Sequence, residues 1–571
     1  MKNQMVAEVL YKIADLLDVK GDIFFKTRAY RIAAQTIEVL DEDIKDIVKQ
    51  DRLKEIQGIG DALAKKIKEL VETGNLEYYE KLKKEIPEGV LKMLEIPSLG
   101  PKKVAALYKE LGIKNIDMLS KACYSGKVRE LEGFGEITEK NILRGIKMKE
   151  KTSGRVLIST ALENGEKYLS YLKSHKKIKR ISIAGSLRRR KETIGDLDIL
   201  ASSDEPNEVM DFFVKYEDVS RVLLKGSTKT SVLLDNDVQV DLRVVEDKSF
   251  GAALQYFTGS KEHNVKMRSL AIKNGFKLNE YGLFDKKTDD FIIGENEEDV
   301  YSKLGLNFIE PELRENRGEI QTAEEKMLPN LVELKDIRGD LHVHSNYSDG
   351  AEKIEDIVKT CIKMGYEYVG IADHSQSLRV ARGLSEKQVD KKIKEIEKIN
   401  KKYDEIQVFC STECDIKKDG SLDYPDKILK KFDYVGIGIH TGFKMTADEA
   451  TERITKGMQN KYATFIAHPT CRIIGHREPF ELDIEKIIKV ANDTDTYLEI
   501  NSFPDRLDLN DLHTKIAKER NANFVINTDS HYLSHLAYMK YGIYTARRGW
   551  LEKKDILNTK SLSDLTKKLG L

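Results

Sequence analysis

Asp196 and Asp198 stand two residues apart in the apolar run Gly195-Asp196-Leu197-Asp198-Ile199-Leu200, and Ser186 of Gly185-Ser186-Leu187-Arg188-Arg189 precedes Asp196 by ten residues. In a strand, residues i and i+2 share a face. The two carboxylates are therefore forced side by side, where they repel each other and lose hydration. A hydrophobic core gains nothing from that arrangement, but a divalent cation does. The Gly-Ser turn offers N–H groups and a hydroxyl to a phosphate, and the arginines offer it countercharge. The local chemistry is that of metal-assisted nucleotidyl transfer.

A chain of 571 residues is long enough for about three or four domains. Lys+Arg and Asp+Glu both number 96, so net charge argues neither for nor against nucleic acid. The five cysteines are scattered, without a Cys-x-x-Cys pair, as in a reduced cytosolic protein. No signal-peptide pattern and no apolar run of about 18 residues occurs, so a soluble, cytoplasmic protein without a membrane partner is expected. Histidine is uneven: only His175 and His263 precede residue 340, and nine lie between His342 and His535. That asymmetry points to a separate metal-rich C-terminal domain.

The first 150 or so residues carry helical spacing, as in Val6, Val9, Leu10, Ile13, Leu16 and Leu17. A unit then repeats three times. Ile56-Gln57-Gly58-Ile59-Gly60, Ile96-Pro97-Ser98-Leu99-Gly100 and Leu131-Glu132-Gly133-Phe134-Gly135 each precede an amphipathic helix. Such a turn exposes N–H groups at a helix start, which suits a phosphodiester. The unit resembles the helix-hairpin-helix element, which grips DNA backbone without reading sequence. Gly58, Gly60, Gly100, Gly133 and Gly135 are the candidate DNA contacts, and Ser98 replaces a glycine in the second copy.

Residues 155–310 read as mixed α and β, with strand-like runs at 180–184, 197–201 and 238–245. In the last run Asp241 alternates with apolar neighbours and faces away from their side. Asp196, Asp198 and Asp241 form a candidate catalytic, metal-ligating triad. With a nucleotide triphosphate it could hold two Mg²⁺ or Mn²⁺ ions.

Tyr256-Phe257-Thr258-Gly259-Ser260, with Asn264 and Arg268, is similar to the sugar- and base-contacting segment of family X DNA polymerases, and the Gly-Ser and Arg-Arg spacing fits as well. The resemblance covers about residues 1–310. It implies an α+β nucleotidyltransferase palm and thumb, with nucleotide contacts at Arg155, Gly185, Ser186, Arg189, Tyr256, Phe257, Gly259, Asn264 and Arg268. Lys261 departs from the acidic residue of animal relatives. Lys66 falls at the position of the Schiff-base lysine that removes 5′-deoxyribose phosphate, although much of the surrounding basic cluster is missing.

From residue 340, seven strand-like runs (340–343, 366–372, 406–411, 434–439, 463–467, 496–500 and 524–527) alternate with helical stretches, which implies a parallel sheet or barrel. His342, His344, Asp349, His374, Glu413, His440, His468, Asp529 and His531 stand near strand ends, where such barrels keep their sites. Mixed His and carboxylate ligands suit Zn²⁺, Mn²⁺ or Fe²⁺. The set resembles the PHP (polymerase and histidinol phosphatase) domain, which implies a distorted (β/α)7 barrel with up to three ions. Asp373 is a candidate support for these ligands, and Arg472 and Arg477 are candidate phosphate contacts.

The expected order is a helical lyase-like domain (1–85), a fingers-like helix-hairpin-helix domain (86–150), a palm (151–250), a thumb-like subdomain (251–310), a linker (311–338) and a PHP domain (339–571). This order resembles bacterial and archaeal family X polymerases. It implies a monomer that fills short gaps in gapped or primer-template DNA with dNTPs during repair. It also implies 3′→5′ trimming and cleavage at abasic sites, with lyase action less favoured. A PHP phosphoesterase fused to a DNA-independent nucleotidyltransferase, and a DNA-binding scaffold with structural metals, are the alternatives.

Overall fold

The computed structural model describes residues 3–21, 24–38, 42–56, 58–94, 96, 99–152 and 154–571. Most of 1–153 forms one compact unit, and 154–474 with 478–571 forms the other. No described helix is long and apolar enough to cross a membrane.

The first unit is all helical around one apolar cluster that includes Leu10, Ile13, Leu17, Ile67, Val104 and Leu107. Gly60 caps Asp61–Thr73, Gly100 caps Pro101–Leu111, and Gly135 precedes Glu136–Thr152. Gly58 and Gly133 adopt positive φ (89° and 78°), the backbone state that favours glycine. A side chain added at Gly60, Gly100, Gly133 or Gly135 would meet open space, so these turns present their backbone outward. Gln57, Pro97 and Ser98 lie outside the described residues.

The second unit begins with a five-stranded sheet, ordered Arg180–Ile183, Asp196–Ser202, Gln239–Val245, Lys229–Leu234, Val219–Lys225. Asp196–Ser202 and Gln239–Val245 run parallel, with Asp198 directly opposite Asp241. Leu197, Ile199, Val240 and Leu242 bury one face against Ile158–Lys173 and Pro206–Phe213. The carboxylates therefore share the other face. A three-stranded antiparallel sheet (Phe276–Asn279, Gly282–Asp285, Phe291–Ile293) and Lys261–Lys273 follow.

Segment 311–338, expected as a linker because of its charge, is packed into this region. Leu313, Ala323 and Leu331 join its apolar cluster, and Arg314 and Glu319 are fully buried. Its buried charges are internal partners: Arg314 meets Glu297, and Glu319 meets His263 at 2.7 Å.

Seven parallel strands then pair in chain order, from Gly339–Val343 to Phe524–Asn527. The first and last are joined by a bridge between Val343 and Ser530 and by Leu341 N–H donating to the Asn527 side chain at 3.1 Å, which nearly closes a barrel. All five residues of Gly339–Val343 are buried, as are all five of Tyr434–Gly438, as expected of strands covered on both faces.

Candidate functional site

The palm triad follows from strand register. Asp198 and Asp241 face each other on parallel neighbours, and Asp196 lies two residues earlier at the exposed strand end. One ligand atom from each lies within 4.8 Å of the others, a group that could hold a metal ion. Burial, then repulsion from Asp196 and Asp241, raises the Asp198 pKa to about 7. Burial acts the same way on Asp241, but hydrogen bonds from Lys229 and Gln239 outweigh it and lower its pKa. Lys229 Nζ stands 2.5 Å from Asp241 Oδ2. Lys229 was not singled out in the sequence, because it comes from a neighbouring strand.

Gly185, at φ 61°, packs so closely that a Cβ there would lie 2.0 Å from Asp198 Oδ2. Only glycine brings the Ser186 turn this near the triad. Arg189 Nε donates to Glu315 Oε1 at 3.0 Å and Nη1 to the Thr258 carbonyl, which fixes the guanidinium plane. Nη2 has no hydrogen-bond partner among the described residues. Gly259 packs against this arginine: a Cβ there would be 3.1 Å from Nη1. Arg188 is turned away into Glu297 and Thr258. Arg155 donates to Thr193 Oγ1 at 3.0 Å. Tyr256 and Phe257 meet edge to face at 5.2 Å, with the Arg243 guanidinium 4.3 Å over Phe257. Asn264 bonds the Tyr256 carbonyl at 2.7 Å and accepts from Gln255, while Arg268 is exposed.

The barrel gathers all nine of its candidate ligands. Three groups could hold ions: His344, Asp349, His374 and His531; His342, His344, Glu413 and Asp529; and His374, Glu413 and His440. His468 joins through Glu413 at 2.8 Å. The residues fit metals on their own chemistry. His344 Nδ1, Asp349 Oδ1, His374 Nδ1, Glu413 Oε2 and His468 Nε2 are buried without an aligned hydrogen bond, even though Glu413 lies 3.1 Å from His374 Nδ1 and 2.8 Å from His468 Nε2, a concentration that ordinary packing avoids. Burial opposes charge on His440, but Glu413 and Asp415 outweigh it and raise its pKa to about 9. Burial, with His531 and His374 nearby, lowers His344 to about 4. His468 and Asp529 hold positive φ (29° and 53°), which only a tightly determined site sustains.

Supporting residues escaped the sequence reading. Glu499 accepts from His342 Nδ1 and from the His468 N–H, both at 2.7 Å. Asp415 sits 3.2 Å from His440 Nδ1. Asp373, expected to support the ligands, accepts from Ser345, Ser348 and the wholly buried Lys392. Arg506 Nε lies 3.6 Å from Asp529. Arg472, read as a phosphate contact, instead bonds Glu192 and the carbonyls of Arg506 and Leu507. The signal for Glu499 was present in its position on a barrel strand. Its partners, however, are distant in sequence.

A triad palm with a thumb and a metal-ligand barrel define a nucleotidyl-transferring enzyme fused to a metal-dependent phosphoesterase. Family models match as DNA polymerase beta thumb (253–315), helix-hairpin-helix domain (1–76), SAM-like helix-hairpin-helix tandem (90–148) and PHP domain (340–503). The chain is 39% identical over 567 residues, 99% of each chain, to the DNA polymerase/3′-5′ exonuclease PolX of Bacillus subtilis (strain 168). It is 23% identical over 348 residues to DNA polymerase lambda of Rattus norvegicus, covering 55% of this chain and 56% of that one. It is 27% identical over 201 residues to a probable phosphatase of Acetivibrio thermocellus, covering 34% of this chain and 78% of that one. The chain belongs to the PolX family of DNA polymerases with 3′-5′ exonuclease activity.

Proposed function

We propose that this protein fills short gaps in DNA during repair with dNTPs at the palm, and that the barrel trims 3′ ends and cleaves at abasic sites. The observation that carries this is two separate metal-competent clusters in one chain, the palm triad and a barrel set of eight residues with His468 beside Glu413. In this reading Mg²⁺ or Mn²⁺ at the triad, and up to three Zn²⁺, Mn²⁺ or Fe²⁺ ions in the barrel, supply charge neutralisation and activate the attacking oxygen.

The chain's own residues do the rest. Ser186, the Gly185 turn and Arg189, with Arg155 alongside, hold the triphosphate. Tyr256, Phe257 and Gly259 line the sugar, Asn264 meets the incoming base, and Arg268 meets the template strand. Glu499 fixes which ring nitrogen His342 turns to the cluster. The turns carrying Gly58, Gly60, Gly100, Gly133 and Gly135, open to the outside at all of these but Gly58, grip DNA phosphates without reading sequence. The proposed domain order is lyase-like (1–85), fingers-like (86–150), palm (151–250), thumb-like (251–310) and PHP (339–571), with 311–338 packed beside the thumb rather than acting as a free linker. The protein acts as a cytoplasmic monomer.

Separation of the activities tests this. Asp241→Ala should abolish extension of a gapped primer and retain 3′ trimming, whereas His342→Ala with His344→Ala should do the reverse. Loss of both activities in either variant rejects the two-site reading.

A specific observation favours a lyase as well. Lys66 Nζ bonds the Tyr30 hydroxyl at 2.5 Å and lies 3.8 Å from the Tyr78 ring centre. Burial, and then Lys26, lowers its pKa, as an amine nucleophile requires. Borohydride should trap the protein on DNA bearing a 5′-deoxyribose phosphate and fail to trap Lys66→Ala. Equal trapping of both removes the lyase reading.

A further inference from the structure

Arg548, at the end of barrel helix Met539–Arg548, reaches out of its own domain and holds both ends of a palm residue. Its Nη1 donates to the Arg189 carbonyl at 2.6 Å and to Glu315 Oε1 at 3.1 Å, the same oxygen that accepts from Arg189 Nε at 3.0 Å. Its Nη2 is anchored on Asp511 at 2.6 Å, and Asp511 also accepts from Arg317 at 3.0 Å. The Arg548 side chain is 4% exposed and those of Arg189 and Glu315 are 11% exposed, so solvent screens this chain weakly. Burial works against charge on Glu315, but Arg548 and then Arg189 outweigh it and keep it ionised.

Arg189 closes the one-turn helix Gly185–Arg188, which also carries Ser186 and packs on Asp198. A grip on the Arg189 carbonyl therefore fixes where that turn ends. The grip through Glu315 fixes how the guanidinium is aimed. The neighbouring surface is packed: Leu507 and Tyr541 of the barrel join the palm's apolar cluster, and the Arg190 guanidinium lies 4.5 Å over the Tyr544 ring.

We infer that Arg548 of the barrel domain is a positioning residue for nucleotide addition, aiming Arg189 at the dNTP triphosphate through Glu315 and the Arg189 carbonyl. The palm thus borrows part of its nucleotide site from the nuclease domain. The inference rests on the proposed role of Arg189.

The test is steady-state single-nucleotide gap filling by the full chain carrying Arg189→Ala, Arg548→Met, Glu315→Gln, or Arg189→Ala with Arg548→Met. Arg548→Met should raise KM for dNTP about tenfold, with a smaller change in kcat and unchanged affinity for gapped DNA. Glu315→Gln should move KM in the same direction. In the Arg189→Ala background, Arg548→Met should raise KM much less than it does alone, because no guanidinium is left to aim and only the grip on the residue 189 carbonyl remains. Trimming of a single-stranded 3′ end reports that the barrel is folded. If Arg548→Met does not fold, Arg548→Lys, which keeps the charge but not the forked geometry, should give an intermediate KM. An unchanged KM for Arg189→Ala removes the role assigned to Arg189. A raised KM for Arg189→Ala beside unchanged values for the Arg548 and Glu315 variants, or additive effects in the double variant, overturns the inference itself.

Discussion

The palm and the barrel both gather acidic groups, yet they are built on opposite principles. The palm offers three carboxylates on two adjacent strands, one of them exposed. The barrel offers nine groups drawn from around the whole sheet, five with a buried atom that makes no aligned hydrogen bond. Three oxygen ligands leave a hard cation short of its usual six, so the palm site is completed only when a triphosphate adds its oxygens. The barrel set supplies three groups of three or four ligands from the protein alone. One site should exchange its cation with each substrate, and the other should keep its ions as part of the fold.

Chelation is the strongest way to break this contrast. Treatment with EDTA followed by desalting into Mg²⁺ should restore primer extension at once, while 3′ trimming stays at background until Mn²⁺, Zn²⁺ or Fe²⁺ returns. Metal content by mass spectrometry should track trimming and not extension. Recovery of both activities in Mg²⁺ alone would erase the difference between the sites.

The next largest effect concerns how the barrel fixes its ligands. Glu499 accepts from His342 Nδ1 and orients the ring. Glu499→Gln should lower trimming by about 10- to 100-fold, as for other supports of metal ligands. Extension should be unchanged. An unaltered trimming rate would mean that His342 needs no orientation.

Residues whose partners are near in sequence were legible before the fold was known. Asp-x-Asp, His-x-His and the Tyr-Phe-Thr-Gly-Ser turn carry their chemistry within a few positions. Alternation also located the seven barrel strands, from Gly339–Val343 to Phe524–Asn527. What stayed hidden depends on distance through space. Glu499 meets His342 across 157 positions, and Lys229 meets Asp241 only because their strands pair antiparallel. Strand Val219–Lys225 was missed because its residues are almost all exposed at a sheet edge, so burial left no alternation to read. The charge of 311–338 looked like solvent exposure, whereas Arg314 and Glu319 are buried against opposite charges.

A pH series sharpens the palm side. Burial and the neighbouring carboxylates raise Asp198 to about 7, so below that pH it holds a proton in the metal-free protein. The folded state then binds more protons than the unfolded chain, and metal-free stability falls as pH rises from the ordinary carboxylate range through about 7. A cation must displace that proton. The Mg²⁺ concentration for half-maximal extension should therefore rise up to about tenfold per pH unit below 7 and level off above it. A flat profile from pH 6 to 8 would show that Asp198 is already ionised without a cation.

The smallest expected effect tests whether the palm lends the barrel anything in return. Glu192 of the palm accepts from Arg472, which in turn holds the carbonyls of Arg506 and Leu507 beside the metal-ligand cluster. Glu192 is 39% exposed, so water replaces much of what the pair supplies. Arg472 keeps its two carbonyl partners when Glu192 is changed. Glu192→Gln should therefore cost below about 1 kcal/mol in thermal or denaturant unfolding, with trimming and extension changed less than about twofold. A tenfold fall in trimming would show that the Arg506–Leu507 loop depends on the palm. The dependence between the domains would then run in both directions, rather than from barrel to palm through Arg548 alone.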